Sequence, residues 1–190
     1  WRPLAGDRVA CRGFDNRVGA FIVVEVFKRL AKKSLPIELH LVASVQEELG
    51  LVGATTAAYA IQPHAGICVE VGFAADTPGN DNKLVSDVAL GKGPIICYGP
   101  TYNKTLRRHL EETADQNTIP YQRQVRSRGN STTAWAMRQS GRGAAVALLS
   151  VPLRYMHSAV ETLSLADVEN AIKLLQQALE HFPHHETLVP

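Results

Sequence analysis

Hydrophobic positions along the chain follow two different periods. Val18, Ile22, Val26 and Leu30 recur about every four residues and predict a helix over 15–33, whose Lys/Arg-rich last turn suits the negative end of a helix dipole. Ser34-Leu35-Pro36 ends it. Leu39, Leu41, Ala43 and Val45 make 37–45 read as a buried strand, and 49–61 reads as a helix up to the stop at Pro63. Gly66-Ile67-Cys68-Val69-Glu70-Val71 is a second buried strand, 76–87 is a Gly/Asn/Asp/Pro-rich loop, and 88–98 is a strand broken by Gly91-Lys92-Gly93-Pro94. A polar amphipathic helix over 103–117, a short strand over 120–126 and a helix over 132–139 lead to the most apolar strand, 144–151. The last helix, 165–182, carries Leu165, Val168, Ile172, Leu175 and Leu179 on one stripe, with Ser164 and Asp167 at the spacing of a capping box. Arg8-Val9-Ala10-Cys11 is a short strand near the start. Helices alternating with apolar strands point to an α/β layer fold with a largely parallel sheet.

Composition adds bounds rather than detail. The 190 residues, 45% hydrophobic and 20% charged, are expected to form a single globular domain, 1–190, that buries about 70% of its unfolded surface. A formal charge of +2 is too small to argue for nucleic acid or a membrane as partner. Cys11, Cys68 and Cys97 are odd in number and form no C-x-x-C pair, so reduced thiols in a reducing, cytoplasmic compartment are expected. No charged-then-apolar leader pattern is read in the opening residues, so no leader is expected, and no apolar run reaches the roughly 18 to 20 residues of a membrane span. The glycines at 91–93 lack the order of a phosphate loop, and Gly50-x-x-Gly53 is a poor match to a dinucleotide fingerprint, which leaves a nucleotide-binding protein as the weakest reading.

Chemistry concentrates at the ends of the apolar runs. Ser44-Val45-Gln46-Glu47-Glu48-Leu49-Gly50 sets two adjacent carboxylates where a predicted strand meets a turn. Alone, the pair also fits a solvated helix face. Its company changes that reading: Glu70 closes a strand, His157 follows the 144–151 strand, and Asp15 starts a helix just after a short strand. In an open sheet such exits share one crevice. Carboxylates gathered there repel one another and raise one another's pKa, whereas one or two divalent metals remove the conflict. Two metals need a bridging carboxylate, for which Asp15 is suited, and a base that stays off them, for which one of Glu47 and Glu48 is suited while its neighbour coordinates. Arg123, Arg126, Arg128, Arg138 and Arg142 make a local basic cluster, read as a solvated face or subunit contact, with a site for a substrate carboxylate or phosphate as the alternative.

Four stretches in order carry a resemblance: Phe14-Asp15-Asn16-Arg17-Val18-Gly19; Val45-Gln46-Glu47-Glu48-Leu49-Gly50; Glu70-Val71-Gly72 with Ala75-Asp76-Thr77-Pro78-Gly79; and Val151-Pro152-Leu153-Arg154-Tyr155-Met156-His157-Ser158-Ala159-Val160-Glu161. Over nearly the whole chain these resemble the glutamyl aminopeptidase and deblocking aminopeptidase family of binuclear metallopeptidases, which includes the TET particles and relatives labelled endoglucanases. The resemblance implies a three-layer α/β/α sandwich, the catalytic portion of a zinc-peptidase-like fold. It implies that Asp15 bridges two divalent ions, zinc or cobalt, with Glu48 and His157 completing one ion's ligands and Glu70 serving the other. Glu47 becomes the general base that takes a proton from the attacking water and hands it to the leaving amine as an N-terminal residue is released from a peptide. A homo-oligomer, a hollow dodecamer, is the implied assembly.

The departures from that pattern are specific. The family carries Asp where this chain has Glu70, and Gly-Gly-Thr-Asp-Ala where it has Asn130-Ser131-Thr132-Thr133-Ala134, so an acidic group is missing there. The family carries an upstream His ligand and an inserted β domain ahead of the segment matching Asp15, and this sequence begins after both: were they absent from the molecule, one ion would keep only Asp15 and Glu70, whereas were they only cut away, the site would be whole. His40, His64 and His109 fit strand, turn or helix surfaces better than replacement ligands, and His181, His184 and His185 fit an exposed tail. The alternative to an active metalloaminopeptidase is an inactive relative or fragment that serves as an assembly subunit.

Overall fold

The computed structural model describes residues 1–78, 86–126, 132–183 and 188–189, with seven strands and five helices among them. In chain order these are β1 (Arg2–Pro3), β2 (Arg8–Cys11), α1 (Phe14–Leu30), α2 (Val52–Ile61), β3 (Ala65–Phe73), β4 (Ile95–Tyr98), α3 (Lys104–Gln116), β5 (Gln122–Val125), α4 (Thr133–Gln139), β6 (Ala145–Leu153), β7 (Glu161–Ser164) and α5 (Leu165–Glu180).

β6 is the strand around which the layers form. All nine of its residues are buried, and the central sheet has the order β3-β6-β4-β5. β3 pairs with β6 and β4 with β5 in parallel, whereas β6 and β4 are antiparallel, so the sheet is mixed with parallel pairs predominating. Side chains of β6 alternate between two cores, as a strand's period of two requires. Ala145, Ala147, Leu149, Val151 and Leu153 face α1, α3 and α5, meeting Ile22, Val26, Leu106, Leu110 and Leu174. Val146 and Leu148 face the other way, with Cys68, Ile95, Cys97, Tyr102 and Ala134, toward the layer of α2 and α4. The result is the α/β/α sandwich expected from the sequence.

Two smaller features position the site. A second antiparallel sheet, β1-β2-β7, ties the start of the chain to residues beyond 160, with Cys11 opposite Glu161. α5 begins at Ser164, whose Oγ accepts the Asp167 N–H at 3.4 Å, the expected cap. The return half of a capping box is absent: the fully buried Asp167 carboxylate accepts the N–H groups of Gly91 and Gly93 at 2.7 Å each.

One expected element is not found. Residues 37–45 form no strand; among the described residues no neighbour pairs with them, and β3 is left as an edge of the sheet. Ile37 and Leu39 still pack against the core beside Leu35, so the apolar alternation reflects one-sided burial without a ladder. The helix expected over 15–33 stops at Leu30, and the strand expected over 88–98 is confined to Ile95–Tyr98.

Candidate metal centre

Asp15 is presented by the start of α1, and that start is fixed to β3. Asn16 Nδ2 donates to the Val69 carbonyl at 2.8 Å while its Oδ1 accepts the Gly19 N–H at 3.0 Å. Gly19 is demanded by this approach: a Cβ there would stand 2.5 Å from the Val69 carbonyl oxygen, well inside contact distance. Gly13, with φ of 74°, makes the turn from β2 into the helix.

Glu47 and Glu48 sit on a loop folded back on the start of α2. Leu51 N–H donates to the Glu47 carbonyl at 2.9 Å and Gly53 N–H to the Val45 carbonyl at 3.0 Å, with Gln46 and Leu51 both left-handed. His157 follows β6 in a left-handed conformation, φ 64°. These segments converge. His157 Nε2 lies 2.9 Å from Asp15 Oδ2 and 3.2 Å from Glu48 Oε1, and one donor atom from each of the three falls within 4.8 Å of the others. Two carboxylate oxygens and an imidazole nitrogen are a donor set that suits zinc and related divalent ions, and three protein ligands leave a position open. The residues present therefore fit a metal ion.

Glu47 and Glu70 flank this group without joining its three-atom corner. Burial first, then the charges of Glu70, Glu48 and Asp15, push the Glu47 carboxyl up to about 7. Burial and the Glu48 charge also raise Asp15. Glu70, raised mainly by burial, has its Oε1 held by the Thr133 N–H at 2.7 Å, and Arg126 opposes the shift. The mutual repulsion anticipated from the sequence is thus present, and a cation in the Asp15, Glu48 and His157 corner would relieve it.

Other sequence candidates are spread out. Arg123 is committed to Glu111 at 2.8 Å and lies over the Tyr121 ring, Arg126 contacts Gln124 at 3.4 Å, and Arg128 falls outside the described residues. His40 meets Glu38, His109 meets the Ala178 carbonyl, and His64 and His181 are exposed; His184 and His185 lie outside the described residues. All three cysteines are free thiols, with Cys68 and Cys97 buried. An open cleft beside Glu47 and Glu48 is walled by Leu51, Thr55, Trp135 and Gln139. None of the described arginines of the basic cluster lines it.

In the sequence Glu161 stands only as the end of the motif that carries His157. In the structure it is 2% exposed, and its two oxygens accept the N–H groups of Asp15 and His157 at 3.2 and 3.1 Å. A glutamate opening an otherwise uncharged stretch, Glu161-Thr162-Leu163-Ser164, was the available signal.

Known proteins share this arrangement of elements. The model of the M42 glutamyl aminopeptidase family matches residues 1–174. A lysyl aminopeptidase of Pyrococcus furiosus is 40% identical over 177 residues, covering 93% of this chain and 50% of the relative. Aminopeptidase APDkam598 of the archaeon Desulfurococcus kamchatkensis superposes with a TM-score of 0.86 at 33% identity, over 94% of this chain and 50% of that one. The TET1 peptidase of Pyrococcus horikoshii, which can assemble into a tetrahedron or a large octahedral shell, superposes with a TM-score of 0.78 at 32% identity, over 93% and 51%. The chain spans about half the length of the curated relatives it matches. With a family match across most of its length and a shared fold, the chain belongs to the M42 glutamyl aminopeptidase family.

Proposed function

We propose that residues 1–190 are a catalytic α/β unit of a metal-dependent aminopeptidase that removes N-terminal residues from peptides. The observation that carries this reading is the convergence of Asp15, Glu48 and His157 on one corner, with Glu47 beside it. Asp15, Glu48 and His157 would hold one divalent ion, and Asp15 with Glu70 a second; zinc or cobalt suits these donors. Such ions polarise a carbonyl and lower the pKa of water. Glu47 stays off the metal corner and acts as the general base, its carboxyl poised near neutral pH to take a proton from the attacking water and return it to the leaving amine. The cleft walled by Leu51, Thr55 and Trp135 receives the peptide end next to that base.

The assembling TET1 relative supports a homo-oligomer, a dodecamer in the resemblance drawn from sequence. The unpaired cysteines support a reducing, cytoplasmic setting. Among the described residues no helix is long and apolar enough to cross a membrane. Hydrolysis of amino-acid p-nitroanilides by the chain loaded with Co²⁺ or Zn²⁺ tests the function. A chain that holds the metal stoichiometrically yet releases no p-nitroaniline from any of a panel of amino acids would refute it.

A further inference from the structure

We infer that Glu161 is the positioning residue that locks the two halves of the candidate metal centre together. This rests on the metal-centre reading above. Asp15 belongs to the segment that leaves β2, and His157 to the segment that leaves β6. Glu161 stands between them. It opens β7, where it lies opposite Cys11 of β2, and the next residue, Thr162, exchanges backbone hydrogen bonds of 2.9 and 3.1 Å with Arg154 just past β6. The backbone at Glu161–Thr162 therefore lies between both segments.

Its side chain repeats that connection at the ligands themselves. One oxygen takes the Asp15 N–H at 3.2 Å and the other the His157 N–H at 3.1 Å. Only a carboxylate can accept at both ends; the amide of a glutamine offers one acceptor and one donor. Among the described residues no lysine or arginine pairs with this buried group, and its two side-chain oxygens are held by the Asp15 and His157 amides. Groups that orient metal ligands from behind set affinity through geometry, and losing one weakens binding about 10- to 100-fold.

The test uses the 190-residue chain titrated with Co²⁺, read by visible absorption and by competition with a chelator, with folding followed by circular dichroism of the metal-free protein. Glu161→Gln is expected to remain folded, to bind Co²⁺ at least 10-fold more weakly and to change the visible spectrum. Leu110→Ala, buried on α3, should be less stable than the parent and bind Co²⁺ as the parent does, which separates positioning from general destabilisation. Equal affinity and an unchanged spectrum in folded Glu161→Gln would overturn the inference while leaving the metal centre standing. Absence of Co²⁺ binding to the parent chain would remove both. If Glu161→Gln does not fold, amide exchange on the parent decides: slow exchange of the Asp15 and His157 amides supports the lock, and exchange as fast as an exposed loop amide refutes it.

Discussion

His157 Nε2 stands 2.9 Å from Asp15 Oδ2, although one residue lies near the beginning of the described fold and the other near its end. The pairing of β2 with β7 brings them together, because Asp15 follows the first of these strands and His157 precedes the second. The chemistry of the corner is therefore tied to a ladder that also stabilises the fold.

Replacing Glu47 by Gln is expected to cut peptidase activity by about 10²–10⁴-fold, the usual worth of a general base. Co²⁺ stoichiometry should be unchanged, since Glu47 lies outside the three-ligand corner. Retained activity in the variant would assign the base elsewhere.

The pH behaviour has a definite sign. Glu47 titrates at about 7 in the folded chain against 4.5 as the ordinary value, so the folded state holds this proton more tightly. Its contribution to stability is complete below pH 4.5 and is lost as pH rises through 7. Metal-free protein should accordingly show a denaturant midpoint that falls across this window, and Zn²⁺ should reduce the fall by relieving the repulsion. A midpoint that rises between pH 4.5 and 7 in the Glu47 parent relative to Glu47→Gln would contradict this assignment.

Gly19→Ala should disturb the site from a distance. The added methyl meets the Val69 carbonyl at 2.5 Å, so α1 must move off β3 and carry Asp15 with it. A loss of about 1–3 kcal/mol is expected from chemical denaturation, accompanied by weaker Co²⁺ binding. A variant as stable as the parent with intact metal affinity would show that this helix contact is not what sets Asp15.

Trp135 offers a large apolar face to the cleft beside Glu47 and Glu48. Truncation to Ala is expected to raise KM about 10-fold for substrates with bulky apolar first residues and to leave metal content unaltered. An unchanged KM across a panel of p-nitroanilides would place the substrate on another wall.

Leu110→Ala is the contrasting case. Fully buried where α3 meets the sheet and α5, it should cost about 2–5 kcal/mol by denaturant titration. Co²⁺ affinity of the folded fraction should match the parent, and a parallel loss of affinity would mean that core and site are one cooperative unit.

The helices were legible because their apolar period survives in the fold: Val18, Ile22, Val26 and Leu30 are all buried along α1. Residues 37–45 misled because alternation reports which side is buried and carries no information on whether a neighbouring strand supplies hydrogen bonds. Among candidate site residues, Asp15, Glu48 and His157 could be found as chemical types at strand and helix ends. Glu161 could not, since it acts through backbone N–H groups that every non-proline residue possesses. The arginines showed the opposite error: proximity in sequence suggested a basic site, yet Arg123 is spent on Glu111.

The β2–β7 ladder also dates the birth of the metal corner. A nascent chain still emerging from the ribosome without residues 157–164 displays Asp15, Glu47 and Glu48 but lacks both the imidazole and the carboxylate clasp behind it. Under the proposed function, ion capture would follow the docking of β7, so a half-synthesised polypeptide would not sequester the metal ahead of time, and hydrolytic competence would arrive only once that ladder has formed.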